Sequence, residues 1–197
     1  MSISKINPRY TMLLVVILVV AAIRIVTNIG PEMGPLTTFT PIGAMALFGG
    51  AYFNGRLKPF VLPLLTLFVS DVILSLTVYK HYDMGFLYMG WYWTYIAFIL
   101  MALVGKLMIR KVTVLNALMA TFACVLIHWV VSDFGVWLGG NMYTRDFAGW
   151  QLCMIAAMPY EFWFMAGTIV YSALMFGTFE WLQNQYPKLQ EVMSNEF

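Results

Sequence analysis

Charge is what this chain has least of: only 10% of its 197 residues are Asp, Glu, Lys or Arg, and the formal net charge is +2. So small an excess leaves no electrostatic footprint for nucleic acid. With 61% hydrophobic residues and a mean hydropathy of +0.79, the composition lies outside the ordinary soluble range. Cysteine is nearly absent as well. Cys124 and Cys153 have neither CxxC nor Cys/His spacing, which indicates neither a disulfide framework nor a zinc site and leaves two buried, inert thiols. The chain lacks a GxxxxGK[ST] phosphate loop, an HExxH and a GxSxG, and its acids are not paired at catalytic spacing. ATP hydrolysis by that loop is excluded, and neither an enzyme nor a bound cofactor is expected. Heptads, internal repeats and a separate soluble domain are also missing.

What is present is a series of apolar runs that predicts an all-α integral membrane protein, a six-helix transmembrane bundle. Spans are expected over about 10–28, 41–54, 59–79, 91–108, 113–132 and 159–182. Residues 1–182 then form a single transmembrane domain, and 183–197 a polar tail. The first run follows Lys5 and Arg9 and contains Ala21-Ala22, a signal-peptide-like layout that is read here as a retained span. Thr40-Pro41 is a helix start, with Thr40 as N-cap and Pro41 at the first helical position. The short span that follows carries Gly43, Ala46, Gly49 and Gly50, small residues that let another backbone approach closely.

Eight basic residues (Lys5, Arg9, Arg56, Lys58, Lys106, Arg110, Lys111, Lys188) fall on one side of this topology and two (Lys80, Arg145) on the other. The positive-inside bias places both termini in the cytoplasm, with a bacterial cytoplasmic (inner) membrane as the expected location. Six tryptophans (Trp91, Trp93, Trp129, Trp137, Trp150, Trp163) then lie outward and only Trp181 inward. An interfacial belt would populate both sides, so an aromatic-lined cavity open to the outside is expected. The stretch from His128 to Trp163, with Asp133, Arg145, Asp146 and Glu161, reads as an outer segment closing over that cavity.

Arg24 and Asp71 fall inside spans, roughly 21 Å and 18 Å from the inner interface at 1.5 Å per residue. Each needs a partner or a wet cavity. Either they form a structural charge pair between spans one and three, or Asp71 faces the cavity floor as a ligand contact. His128, roughly 22 Å along span five, reads as a packing histidine near the interface. Glu161, two residues after Pro159, suits the first turn of span six, where a carboxylate meets exposed N–H groups. Asp71, His81, Tyr88, Trp137, Tyr143 and Arg145 are the candidate substrate contacts, Arg145 for an anionic group.

The motifs FTPIGAMALFGGAYF (Phe39–Phe53), Ser70-Asp71, SDFGVWLGGNMY (Ser132–Tyr143), Pro159 and LMFG (Leu174–Gly177) together resemble a family of uncharacterised six-span bacterial membrane proteins. That family is related to the substrate-binding S components of energy-coupling-factor vitamin transporters, and the likeness covers most of 39–178. It implies an S-component-like bundle that takes up a vitamin-like small molecule from the outer side. Within that group the chain is similar to solitary S components for cobalamin, which implies a corrinoid substrate and a site including Asp71 and the loop after span three. Where those proteins present a cobalt-binding cysteine in that loop, this chain has none, and His81 is the substitute ligand to the cobalt of the substrate. Asp133 stands where the family pattern has Asn. Span one has no Ala-xxx-Ala for docking an ATPase module, so partners beyond substrate and bilayer are an energising module or none. Two other readings stay open: an assembly subunit docking a partner on the small-residue face of span two, and a membrane-embedded enzyme using Asp71 with His128 or His81.

Overall fold

The computed structural model describes residues 7–27, 34–78, 80, 87–88 and 90–190. His81 lies outside the described residues. Six α-helices follow in order: α1 (Pro8–Thr27), α2 (Ile42–Tyr52), α3 (Lys58–Thr77), α4 (Trp91–Met108), α5 (Val114–Gly139) and α6 (Phe147–Gln185), with 3-10 turns at Pro35–Thr38 and Pro187–Leu189. No strand occurs among the described residues. All helices except α2 are long and apolar enough to cross a membrane. Exposed apolar side chains run along them, among them Leu18, Leu65, Leu118, Phe122 and Val170. In water so large an apolar surface would drive association, and this one suits lipid. The chain is an all-helical protein of the multi-pass membrane kind.

The exceptional element is α2. Its 11 residues span roughly 17 Å, about half of a ~30 Å hydrocarbon core. Ten of the 11 are buried, and the helix packs against all five others. An all-apolar helix without a polar face belongs inside a bundle, and this one forms its axis. Before it, the 3-10 turn Pro35–Thr38 and a short link to Pro41 lie along α6. There the Thr38 hydroxyl bonds the Tyr160 carbonyl at 2.6 Å, and Phe39 rests on Trp163 and Tyr171. Thr40 and Pro41 are buried there, while Leu36 and Thr37 stay exposed. Pro41 takes the N-cap place, one residue later than the sequence suggests, and the Thr40 hydroxyl accepts the Ile42 N–H at 3.5 Å.

The small residues of α2 are used within the chain. Gly49 seats the ring of Pro63 from α3, Gly43 lies under Thr168 and Phe164 of α6, and Gly50 meets the backbone of α4 at Ala102. None of them is left as a face for another protein.

The largest departure from the sequence-based spans is in α5 and α6. The fifth helix continues past Ser132 to Gly139, and the sixth starts at Phe147, more than three turns ahead of Pro159. What reads as an outer lid is therefore a helical hairpin with a connection of only residues 140–146. Two proline rules compete here: proline favours a first helical turn, but in apolar surroundings it is also tolerated mid-helix, as at Pro159 and Pro63. The start of α6 is set instead by Asp146. Its Oδ1 accepts the Gly149 N–H at 2.7 Å and the Thr144 hydroxyl at 2.7 Å. These two bonds hold the Asp146 carboxyl below the usual carboxylate range. At the other end of the hairpin Thr113 caps α5 by accepting the Asn116 N–H.

Candidate functional site

Polar side chains in the interior gather in three places. The first joins α1, α3 and α4. Arg24 Nη2 and Asp71 Oδ1 lie 2.6 Å apart, both residues buried. The Tyr95 hydroxyl donates to Asp71 Oδ2 at 3.0 Å, and Arg24 Nη1 donates to the Ser70 hydroxyl, which itself donates to the Leu67 carbonyl at 2.8 Å. Both oxygens of Asp71 are thus occupied, one by a cation and one by a neutral donor. This is how a buried charge is kept without large cost.

The second place is the interior of the α5–α6 hairpin. His128 Nδ1 lies 2.7 Å from Glu161 Oε1, and the imidazole stacks on Phe164 with ring centroids 4.0 Å apart. Because α5 runs from Val114 all the way to Gly139, His128 sits in its middle part rather than near its end. Glu161 likewise lies well inside α6, far from the exposed N–H groups of the first turn that the sequence assigns to it. Glu161 Oε2 has no hydrogen-bond partner among the described residues, and neither has Oδ2 of Asp133, which stands on the same helix as His128. One turn from His128, Cys124 is fully buried, its Sγ 3.9 Å from the carbonyl of Gly43 in the first turn of α2. Cys153 lies 3.6 Å from the Asp133 carbonyl. Both thiols are packing groups, and no cluster suited to a metal ion occurs among the described residues.

The third place closes the end that carries Pro8 and Gln185. Buried Arg9 donates to Gln183 at 3.1 Å and to the Leu189 carbonyl at 2.9 Å, and its guanidinium lies over the rings of Tyr52 and Phe179. The Tyr52 hydroxyl bonds Glu180. This network ties the start of α1 and the end of α2 to the end of α6. A tyrosine at the end of one apolar run and an acid near the end of another, far along the chain, carry no spacing signal. Neither the site at Tyr95 nor this one is visible in the sequence.

The candidate contacts read from the sequence divide between locations. Asp71 belongs to the Arg24 network. Tyr88 precedes α4, its carbonyl accepting the Trp91 N–H at 3.2 Å. Trp137, Tyr143 and Arg145 meet at the tip of the hairpin. There the Trp137 indole donates to the Thr144 carbonyl at 2.8 Å. Partial burial, together with Cys153 and Asp133, pushes the Tyr143 phenol up. Arg145 donates from Nη1 to the carbonyls of Trp137 and Leu138, and from Nη2 to that of Gly140. Its fork caps the last turn of α5, whose carbonyls have no partner within the helix. An anionic ligand would have to displace those bonds. Arg145→Ala is expected to lower stability by about 1 kcal/mol and to speed amide exchange in the last turn of α5. Arg145→Lys, a single point donor, restores little of either. Unchanged exchange at that turn in the alanine variant would remove the capping role.

A family model described as "Family of unknown function (DUF6580)" matches residues 4–189. No curated protein and no solved structure matches the chain.

Proposed function

We propose a function for this chain, which belongs to the DUF6580 family: it is a membrane carrier that binds a small molecule within the bundle and passes it across the bilayer. The observation that carries the reading is the broken second pass. An 11-residue helix starts in the interior of the bundle, with a 3-10 turn and a short link along α6 before it and ionisable side chains of α5 and α6 around its start. Interrupted helices of this type place unsatisfied backbone groups at membrane depth, where a carrier needs to hold a solute. Ionisable residues kept there despite their cost of about 2.5–3.5 kcal/mol each mark function by default. The same proposal includes cytoplasmic termini, an inner-membrane location and an S-component-like mode of uptake from the outer side, which rest on the basic-residue bias and on the sequence likeness. A vitamin-like solute, with a corrinoid as first choice, rests on that likeness alone.

The assembly-subunit reading loses its motive, because the small residues of α2 face α3, α4 and α6 of the same chain. The enzyme reading uses Asp71 with His128 or His81. Asp71 is held by Arg24 and Tyr95 and His128 pairs with Glu161, while His81 lies outside the described residues.

Native mass spectrometry of the protein released from mild detergent tests the carrier reading. A retained small molecule, lost on dilution and rebound on addition, is the expected result. A co-purifying polypeptide with no small molecule would favour the assembly reading instead. For the corrinoid, the visible absorption of cobalamin should change on adding protein, and an unchanged spectrum counts against that substrate.

A further inference from the structure

We propose that His128, Glu161 and Asp133 form a proton-binding site inside the bundle, holding an exchangeable proton that offsets the charge of the Glu161 carboxylate. The proposal goes beyond the carrier reading, since it concerns the protein alone and holds whatever the solute is.

The balance of charge carries it. Glu161 is 7% exposed, and His128 Nδ1 lies 2.7 Å from its Oε1. An ordinary Nδ1–H imidazole facing a carboxylate makes this contact with a net charge of −1. One further proton, on the second ring nitrogen or on the carboxyl, makes the pair neutral overall. Removing that proton leaves a carboxylate in low dielectric beside a neutral ring, with Oε2 already lacking any donor among the described residues. Asp133, partly buried on α5 with Oδ2 also unpartnered, is a second carboxyl that interacts with both Glu161 and His128.

Nothing else among the described residues around the pair supplies positive charge. α2, α5 and α6 contain no lysine or arginine at all, whereas α5 and α6 carry Asp133, Glu161 and Glu180. Arg24 is committed to Asp71 and Arg145 to the carbonyls ending α5. Lys106, on α4, donates to the Gly55 carbonyl at the far end of that helix. The remaining titratable groups facing the site are the thiols Cys124 and Cys153 and the Tyr143 phenol, none of which brings a cationic form. The contrast with Asp71 is instructive: that carboxylate has its own arginine, and these two have none.

The Oε2 atom makes the proton exchangeable rather than locked. In Asp71 both oxygens are already engaged by donors of the chain itself. Glu161 keeps one oxygen for a water or for a positively charged group of a solute, and accepting either weakens its hold on the proton.

Infrared difference spectroscopy of the whole protein in lipid nanodiscs, titrated from mildly acidic to alkaline pH, tests this. The expected spectrum has a protonated-carboxyl band that disappears with rising pH, and the band should move when glutamate alone is carbon-13 labelled. That arm needs no variant and so does not depend on folding. In Glu161→Gln the band should be lost. In His128→Phe it should persist to higher pH, because the proton has lost its alternative seat. Absence of a protonated carboxyl at every pH, or a band unmoved by glutamate labelling and unchanged in Glu161→Gln, overturns the proposal. So does a midpoint that follows sodium or potassium concentration at fixed ionic strength, which would make the ligand a metal cation.

Discussion

Asp71→Asn and Arg24→Gln are each expected to cost about 3–5 kcal/mol, because each leaves the other residue as an uncompensated charge in a buried site. The two side chains are 2.6 Å apart and both nearly inaccessible, so solvent screening does little to soften the loss. Asp71→Asn also weakens the hold on Tyr95, whose hydroxyl donates to Oδ2. Replacing both by apolar residues of similar size, Arg24→Met with Asp71→Leu, should recover most of the stability, since the pair and its desolvation penalty vanish together. Unfolding midpoints of the detergent-purified single and double variants measure this directly. Equal losses in the singles with recovery in the double fit a structural pair. A double variant that is stable but no longer retains the bound small molecule would instead give Asp71 a part in the solute site.

The second large effect is at the contact of α2 with α4. A Cβ on Gly50 would overlap the Ala102 carbonyl and lie 2.8 Å from the Lys106 nitrogen. A Cβ on Gly105 would overlap the Leu47 carbonyl and lie 2.8 Å from the Leu47 Cα. Backbone, unlike a side-chain tip, cannot turn aside, so Gly50→Ala or Gly105→Ala forces two helices apart. Either should cost at least about 1–3 kcal/mol, and the pair of changes less than the sum, because one displacement serves both. Gly177→Ala makes the same chemical change where nothing lies within 4 Å. There it should stabilise α6 slightly, alanine being preferred to glycine in helix interiors by about 1 kcal/mol. Thermal unfolding of the three variants side by side would settle the matter, and equal destabilisation of all three would show that contact with α4 is not the cause.

How much of this can be read from the chain depends on what each signal responds to. Thr40-Pro41 marks the start of α2 to within a residue because a proline restricts the backbone wherever it stands. Pro159 obeys the same restriction, yet it lies inside α6, since a long helix in apolar surroundings absorbs one missing hydrogen bond. That one ambiguity moves Glu161 from a helix start to a helix middle and, together with the continuation of α5 to Gly139, brings it level with His128. The residues themselves are conspicuous in the sequence, but their pairing is not. Asp71 and Arg24 are legible as needing partners from cost alone. Tyr95, Tyr52 and Gln183 are not, because a neutral polar group in an apolar run has no cost large enough to announce a partner. The tip of the hairpin shows the reverse error. Arg145 looks available for an anion because it sits among glycines, yet those glycines end a helix whose free carbonyls claim the guanidinium.

The half-length second helix also fixes an order of events during biosynthesis. Its 11 residues fall well short of the ~20 that insert into a bilayer unaided. Of the helices that enclose it, α3, α4, α5 and α6 are all translated after it. A nascent chain that has just completed α3 therefore has an apolar, small-sided α2 that α4, α5 and α6 do not yet enclose. That segment reaches its place only when α4 and α6 arrive, so the threading of the first half of the chain is completed by the second half.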